Sequence, residues 1–166
     1  MTFLRSFYIS NRVYYIVVLL MFLFTCGFFF PAVEVIGRVL FMLSLACLVI
    51  DTLLLYRLRD GITAERICAE KFSNGDENPV KLIIENRYPL ELSVQILEDL
   101  PEQFQLRDQS FELVLKSGEV KQIDYVLKPV KRGEYTFGQM NVFVNTFLGI
   151  IRRRYLLGET SSVSVY

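Results

Sequence analysis

The sequence predicts a two-helix transmembrane hairpin followed by an all-β antiparallel sandwich. Three observations predict it. Charge is unevenly spread: residues 13–56 hold three charged side chains, Glu34, Arg38 and Asp51, whereas residues 57–166 hold 15 basic and 16 acidic ones. Two long apolar runs occupy the first third of the chain. The remainder alternates apolar and polar residues with a period of two, the pattern of half-buried strands.

Residues 1–12 form a short basic N-terminus carrying Arg5 and Arg12. Val13–Phe30 is a run of 18 uncharged residues and forms the first span. At about 1.5 Å per residue such a helix is roughly 27 Å long, close to the hydrocarbon thickness of a bilayer. Only an internally hydrogen-bonded helix can cross there. Pro31 stops that helix, and residues 31–38 make a short extracytoplasmic turn in which Glu34 and Arg38, four apart, are placed to pair. Val39–Tyr56 is the second span, and residues 57–61 are a linker. A cleaved signal peptide fits poorly, because the apolar run is too long and FFFPAVEV offers no small-x-small cleavage site. LFTC, Leu23–Cys26, fits a lipoprotein processing site no better, because Phe24 and Thr25 are bulky.

Basic residues near span ends set orientation. Arg5 and Arg12 precede the first span, Arg57 and Arg59 follow the second, and the hairpin turn offers only Arg38, offset by Glu34. Both termini are therefore expected on the cytoplasmic side of the cytoplasmic (inner) membrane. Asp51 is the one ionisable group well inside a span, and an intramembrane acid is a functional candidate by default. It is read here as an interfacial, partly hydrated carboxylate, level with Val17 and about a turn from Tyr14. The Tyr14 hydroxyl or water satisfies it. One acid without a partner makes no proton pathway.

Residues 62–166 supply the strands. Val80, Leu82 and Ile84 alternate with polar neighbours, as do Leu92, Val94 and Ile96, then Phe111, Leu113 and Leu115, then Ile123, Tyr125 and Leu127. Strands are expected near 62–69, 79–86, 91–98, 111–116, 120–129, 134–144, 150–157 and 162–166. A one-residue phase change near Gly138 suggests a bulge in the sixth of them. Turn residues at Tyr88-Pro89, Leu100-Pro101, Ser117-Gly118, Arg132-Gly133 and Leu148-Gly149 separate them. Short strands at such intervals imply an antiparallel, immunoglobulin-like sandwich.

Composition removes several functions. There is no histidine, so the commonest general base and neutral metal ligand are missing. Basic and acidic residues balance at 18 each, which leaves no overall basic field to hold nucleic acid. Cys26, Cys47 and Cys68 are far apart, and Cys68 reads as a buried strand cysteine without an activating base. SNGDEN, Ser73–Asn78, has calcium-loop residue types in the wrong order and reads as a turn feeding the strand that begins at Pro79. Glu98, Asp99, Glu102, Asp108 and Glu112, interrupted by Arg107, read as a solvated acidic loop. No catalytic, cofactor or metal residue is assigned, and the chain is expected not to be an enzyme.

One cluster stands out. Arg152, Arg153 and Arg154 lie in a strand, so Arg153 points opposite to its neighbours. They read as charges on an edge strand that deter aggregation. The functional alternative is contact with anionic inner-leaflet lipid or an acidic partner.

The ordered segments Lys71–Pro89, Asp99–Asp108 and Val130–Tyr155 carry a resemblance that extends over essentially the whole chain, most specifically at Arg132-Gly133-Glu134-Tyr135 and Thr146-Phe147-Leu148-Gly149. The chain resembles the N-terminal part of bacterial proteins of the "domain of unknown function 58" family. The resemblance implies a membrane-anchored interaction or scaffold module that works with a MoxR-type AAA+ ATPase. Family members usually continue into a von Willebrand factor A-like domain, whose Asp-x-Ser-x-Ser metal motif has no counterpart here. The last residues, Ser162–Tyr166, are expected to fall inside a strand. The alternative reading is accordingly a fragment whose missing domain carried the function.

Overall fold

The computed structural model describes residues 6–101, 104 and 109–166. Arg5 of the orientation argument, and Glu102, Arg107 and Asp108 of the acidic stretch, lie outside the described residues. The chain divides into two compact units. One is Met1–Arg59 with Asn145–Arg153; the other is Asp60–Val144 with Arg154–Tyr166. The segment Asn145–Arg153, expected in the strand body, thus clusters with the helices.

The first unit holds strand β1 (Phe7–Ile9), helix α1 (Asn11–Gly27) and helix α2 (Pro31–Tyr56). Both helix boundaries correct the sequence reading. α1 ends at Gly27, so Phe28–Phe30 are not helical in it, and Pro31 opens α2 instead of only closing α1. The physical reason is that proline at the first helical position sacrifices no hydrogen bond and arrives with helical φ. Glu34 falls in the first turn of α2, where the helix dipole favours an acid, and pairs with Arg38. The helices run antiparallel: Gly37 faces the Phe24 ring, while Ile16 and Leu20 of α1 and Leu40, Leu43 and Cys47 of α2 line one groove further along. Gly27 permits the tight reversal, since a Cβ there would sit 2.9 Å from the Glu34 Cα.

The second unit is built from β2 (Ile62–Cys68), β3 (Lys71–Phe72), β4 (Asn78–Asn86), β5 (Leu92–Glu98), β6 (Gln109–Leu115), β7 (Val120–Leu127), β8 (Gly133–Phe137), β9 (Met140–Asn145), β10 (Ile151–Leu157) and β11 (Ser161–Val165). β10 and the end of β9 pass through the boundary between units. β2, β4 and β7 form one sheet in that order; β3, β11 and β8 form a second. In the third, β10, β9, β5 and β6 are successive neighbours.

Alternation fixes which face is buried. Asn78, Val80, Leu82, Ile84 and Asn86 all point inward along β4, as do Leu92, Val94, Ile96 and Glu98 along β5. Pairing is antiparallel in β2–β4, β4–β7, β5–β6 and β8–β11. β3 and β11 pair in parallel, which corrects the all-antiparallel expectation. The predicted bulge at Gly138 is also corrected. The phase change marks the end of β8 and the start of β9, which belong to different sheets. Two short strands, β1 and β3, were not expected from the sequence.

The Glu85–Pro89 segment is organised by buried side chains. The Asn86 amide donates to the carbonyls of Leu90, Leu115 and Lys116 and accepts from the Tyr88 amide. Tyr88 is buried and its hydroxyl lies 2.6 Å from that of Tyr155. Gly61 is required beneath it, because any Cβ there would overlap the Tyr88 ring.

Candidate functional site

The main polar constellation of the first unit lies where the segment Asn145–Arg153 meets α2. Asp51 is 0 % exposed. Its Oδ1 accepts the Thr146 hydroxyl, and its Oδ2 accepts the amides of Ile150 at 3.0 Å and Ile151 at 2.9 Å. Thr146 in turn accepts the Leu148 amide at 3.2 Å. The turn is thereby folded around one carboxylate. Gly149, at φ +60°, supplies the left-handed residue the turn needs.

This corrects the reading of Asp51 as a partly hydrated acid beside Tyr14. Tyr14 is 64 % exposed, and Asp51 takes its partners from residues about 95 to 100 positions later in the chain. The physical reason is desolvation. A buried carboxylate is costly unless hydrogen-bonded, and backbone amides at a turn are preorganised donors.

A second contact fixes the end of the same helix. The Arg153 guanidinium donates to the carbonyls of Leu55, Leu58 and Arg59, where α2 has run out of intrahelical donors. It also stacks over the Tyr56 ring, 4.6 Å from its centroid. A cation at a helix C-terminus complements the dipole, and a planar fork can serve several carbonyls at once. Tyr56 further contacts Ser6 through its hydroxyl and Phe7 through its ring. β1 pairs Phe7, Tyr8 and Ile9 with Arg153, Arg152 and Ile151. The edge-strand reading of the arginines is therefore corrected: β10 is paired by β1 here and by β9 in the second unit. Arg153 is the buried one of the three. Arg154 is half-buried and donates to Asn141 Oδ1, and Arg152 is half-buried.

The second unit has its own buried charge cluster. Arg66 of β2 donates to Glu98 of β5 at 3.1 Å, with both side chains at least 95 % buried. Tyr125 of β7 donates to the other oxygen of Glu98, and Arg66 lies 4.9 Å from the centroid of the Phe137 ring of β8. One ion pair thus ties three sheets together. Glu98 is no part of a solvated acidic loop, because its place in the inward alternation of β5 carries it into the core. Burial, and then the charge of Glu98, push the Tyr125 phenol above its ordinary value of 10.0. Cys68, half-buried beside them, is raised above 9.0 chiefly by burial.

The Ser73–Asn78 stretch is a turn closed by its own asparagine. Asn78 accepts the Ser73 amide and donates to the carbonyls of Ser73, Asp76 and Leu127. Gly75 has φ +81°. Among the described residues no three metal-ligating side chains converge. What these contacts do chemically is hold: in both clusters buried charges are met by hydrogen-bond partners. Ile150 and Ile151 carried no local signal, since both act through backbone amides.

No protein-family model matches the chain, and no curated protein matches it. Among solved structures, the chain is similar to the CARDB domain of a Pyrococcus furiosus protein in complex with di-metal ions. The two are 14 % identical with a TM-score of 0.46, covering 63 % of this chain and 87 % of that one. It is also similar to PapD-like domain 7 of human CEP192, at 13 % identity and a TM-score of 0.40 over 63 % of this chain and 85 % of that one.

Proposed function

We propose that the chain is a membrane-anchored, non-catalytic scaffold whose strand-built unit serves a protein partner at the cytoplasmic face. The observation that carries this reading is the exposure of α2. Among the described residues one helix, Pro31–Tyr56, is long and apolar enough to cross a membrane, and only 11 % of its most apolar 18-residue stretch is buried. A core helix of a water-soluble protein buries its apolar side chains; this helix leaves Leu43, Leu45, Ile50 and Leu53 about half exposed or more. α1 has 17 residues and so is roughly 26 Å long, at the short end of what spans a bilayer. It leaves Tyr15, Val18, Met21 and Phe22 similarly open. We read the pair as a hairpin with both termini cytoplasmic, on the basic-residue bias given above.

In this scheme the Asp51 and Arg153 contacts are the anchor's fastening. They bind the Asn145–Arg153 turn to α2, and that turn continues covalently into β9 and β10. The resemblance to the "domain of unknown function 58" family supports a MoxR-type AAA+ ATPase as the partner.

The test uses the full chain in cells. The protein should stay with membranes through an alkaline carbonate wash, and Cys68 should resist an impermeant maleimide until the membrane is opened. Denatured protein is the control, because burial leaves less thiolate on folded Cys68. Recovery in the wash, or labelling of intact cells from outside, overturns the anchored orientation. Crosslinking that fails to enrich a MoxR-type ATPase removes that partner.

A further inference from the structure

We propose that the groove between α1 and α2 holds one acyl chain of an anionic phospholipid, with its headgroup phosphate on Arg12. The inference rests on the membrane reading and adds a ligand to it. Near the turn the helices meet through Gly27 and Gly37. Further along, Ile16, Leu20, Leu40, Leu43 and Cys47 leave a groove of about 290 Å³, with Leu148 and Ile150 of the later turn also lining it. That volume lies near the small end, roughly 300 Å³, of ligand cavities. Its wall is almost wholly apolar, so water gains too few hydrogen bonds to fill it, and an empty groove forfeits dispersion contacts. Leu19 and Leu43 on its rim are more than half exposed, so the groove opens onto the same surroundings as the apolar helix faces.

Arg12 completes the site. It is an exposed lining residue, and its Nη1 donates to the Leu148 carbonyl at 2.8 Å. A Cβ at Gly149 would stand 2.9 Å from that nitrogen, so the guanidinium rests against bare glycine backbone. The cation is thus held in place with most of its five N–H donors unspent among the bonds of the described residues. A guanidinium fork fits phosphate oxygens in pairs. Within this unit the acids are Asp51, buried and satisfied, and Glu34, paired with Arg38 at the turn. No acid there offsets Arg12 at the groove. The charge selects an anionic headgroup over a zwitterionic one.

Native mass spectrometry of the full chain released from non-ionic detergent tests this, with phosphatidylglycerol and phosphatidylcholine of identical acyl chains as probes. The expected result is one retained lipid, with phosphatidylglycerol favoured by about tenfold, the worth of one charge-assisted contact. Arg12→Gln should bring the two lipids to parity. Ser44 also lines the groove; Ser44→Phe, which puts a ring into the groove and keeps Arg12, should abolish retention of both, with circular dichroism melting confirming that each variant is folded. Equal retention of the two lipids by the wild type overturns the proposal. So does preference surviving in Arg12→Gln, lipid surviving in Ser44→Phe, or a lipid-free dimer that closes the groove. A chain that needs detergent yet binds no lipid defeats this inference alone; a chain soluble without detergent defeats the membrane reading beneath it.

Discussion

Removing the Asp51 carboxylate should release the Thr146–Ile151 turn from α2. Asp51→Ala deletes the acceptor of three donors: the Thr146 hydroxyl and the amides of Ile150 and Ile151. The site is closed to solvent, so water does not replace the lost acceptor without the turn opening. Hydrogen bonds to a charged group contribute about 1.5–3 kcal/mol each, and two buried amides left unsatisfied cost a comparable amount. The threonine hydroxyl can rotate to another acceptor and is left out. The local cost is therefore about 3–6 kcal/mol.

Asp51→Asn should be milder, at about 1–3 kcal/mol. Its carbonyl oxygen still accepts an amide, and its NH₂ can donate to Thr146 Oγ1. Amide hydrogen exchange over residues 145–153 in detergent micelles reads the effect locally. Ile150 and Ile151 should exchange roughly a hundredfold faster or more in Asp51→Ala, with Asp51→Asn intermediate. Protection unchanged in Asp51→Ala would show that the turn is held by something other than this carboxylate.

Three further outcomes follow from the same geometry. Arg153→Ala should destabilise the helical unit by about 2–4 kcal/mol by thermal melting, because three terminal carbonyls and a ring contact lose their partner, whereas Arg152→Ala should stay within about 0.5 kcal/mol. Gly61→Ala should cost at least about 1–3 kcal/mol, because the new methyl overlaps the buried Tyr88 ring, which is tied to Tyr155. Stability should hold level at neutral pH and fall as pH rises past 9.0 and then 10.0, the ordinary values of Cys68 and Tyr125. Both groups are raised on folding, so the unfolded chain releases their protons first and gains stability relative to the folded one. Tyr125→Phe should flatten the upper part of that decline in a pH series of denaturant midpoints.

The strand body was legible because burial on one face leaves a period of two, and β4, β5 and β7 keep it for seven to nine residues each. β3 was not, because two residues carry no period; it exists only by parallel pairing with β11. β1, Phe7-Tyr8-Ile9, is three residues with no alternation, so it too carries no period; it exists by antiparallel pairing with β10. The Gly138 phase change was visible, but a bulge and a passage between sheets shift the rhythm identically. The pairing of β8 with β11, and of β9 in another sheet, decides between them, and pairing is a property of distant sequence.

The fastening of α2 shows the same division more sharply. Asp51 was conspicuous because an acid in an apolar helix demands compensation. Along the helix hairpin Val17 is level with it, and Tyr14, about a turn away, offers a hydroxyl. Tyr14 or water was the expected partner. Backbone amides satisfy it instead, and every non-proline residue carries one, so residue type could not point to Ile150 or Ile151. Arg153 was visible as one of three arginines, and strand alternation already set it apart from its neighbours. Its partners are again backbone groups, the carbonyls of Leu55, Leu58 and Arg59. One helix end thus has its carbonyls met by a strand cation, and one strand's entry has its amides met by a helix anion. Each side chain satisfies backbone on the other element, and neither carries a hydrogen bond to the other. Exchanging the two charges would therefore rescue nothing: Asp51→Arg with Arg153→Asp should be at least as damaging as either change alone, because each would then set like partial charges face to face.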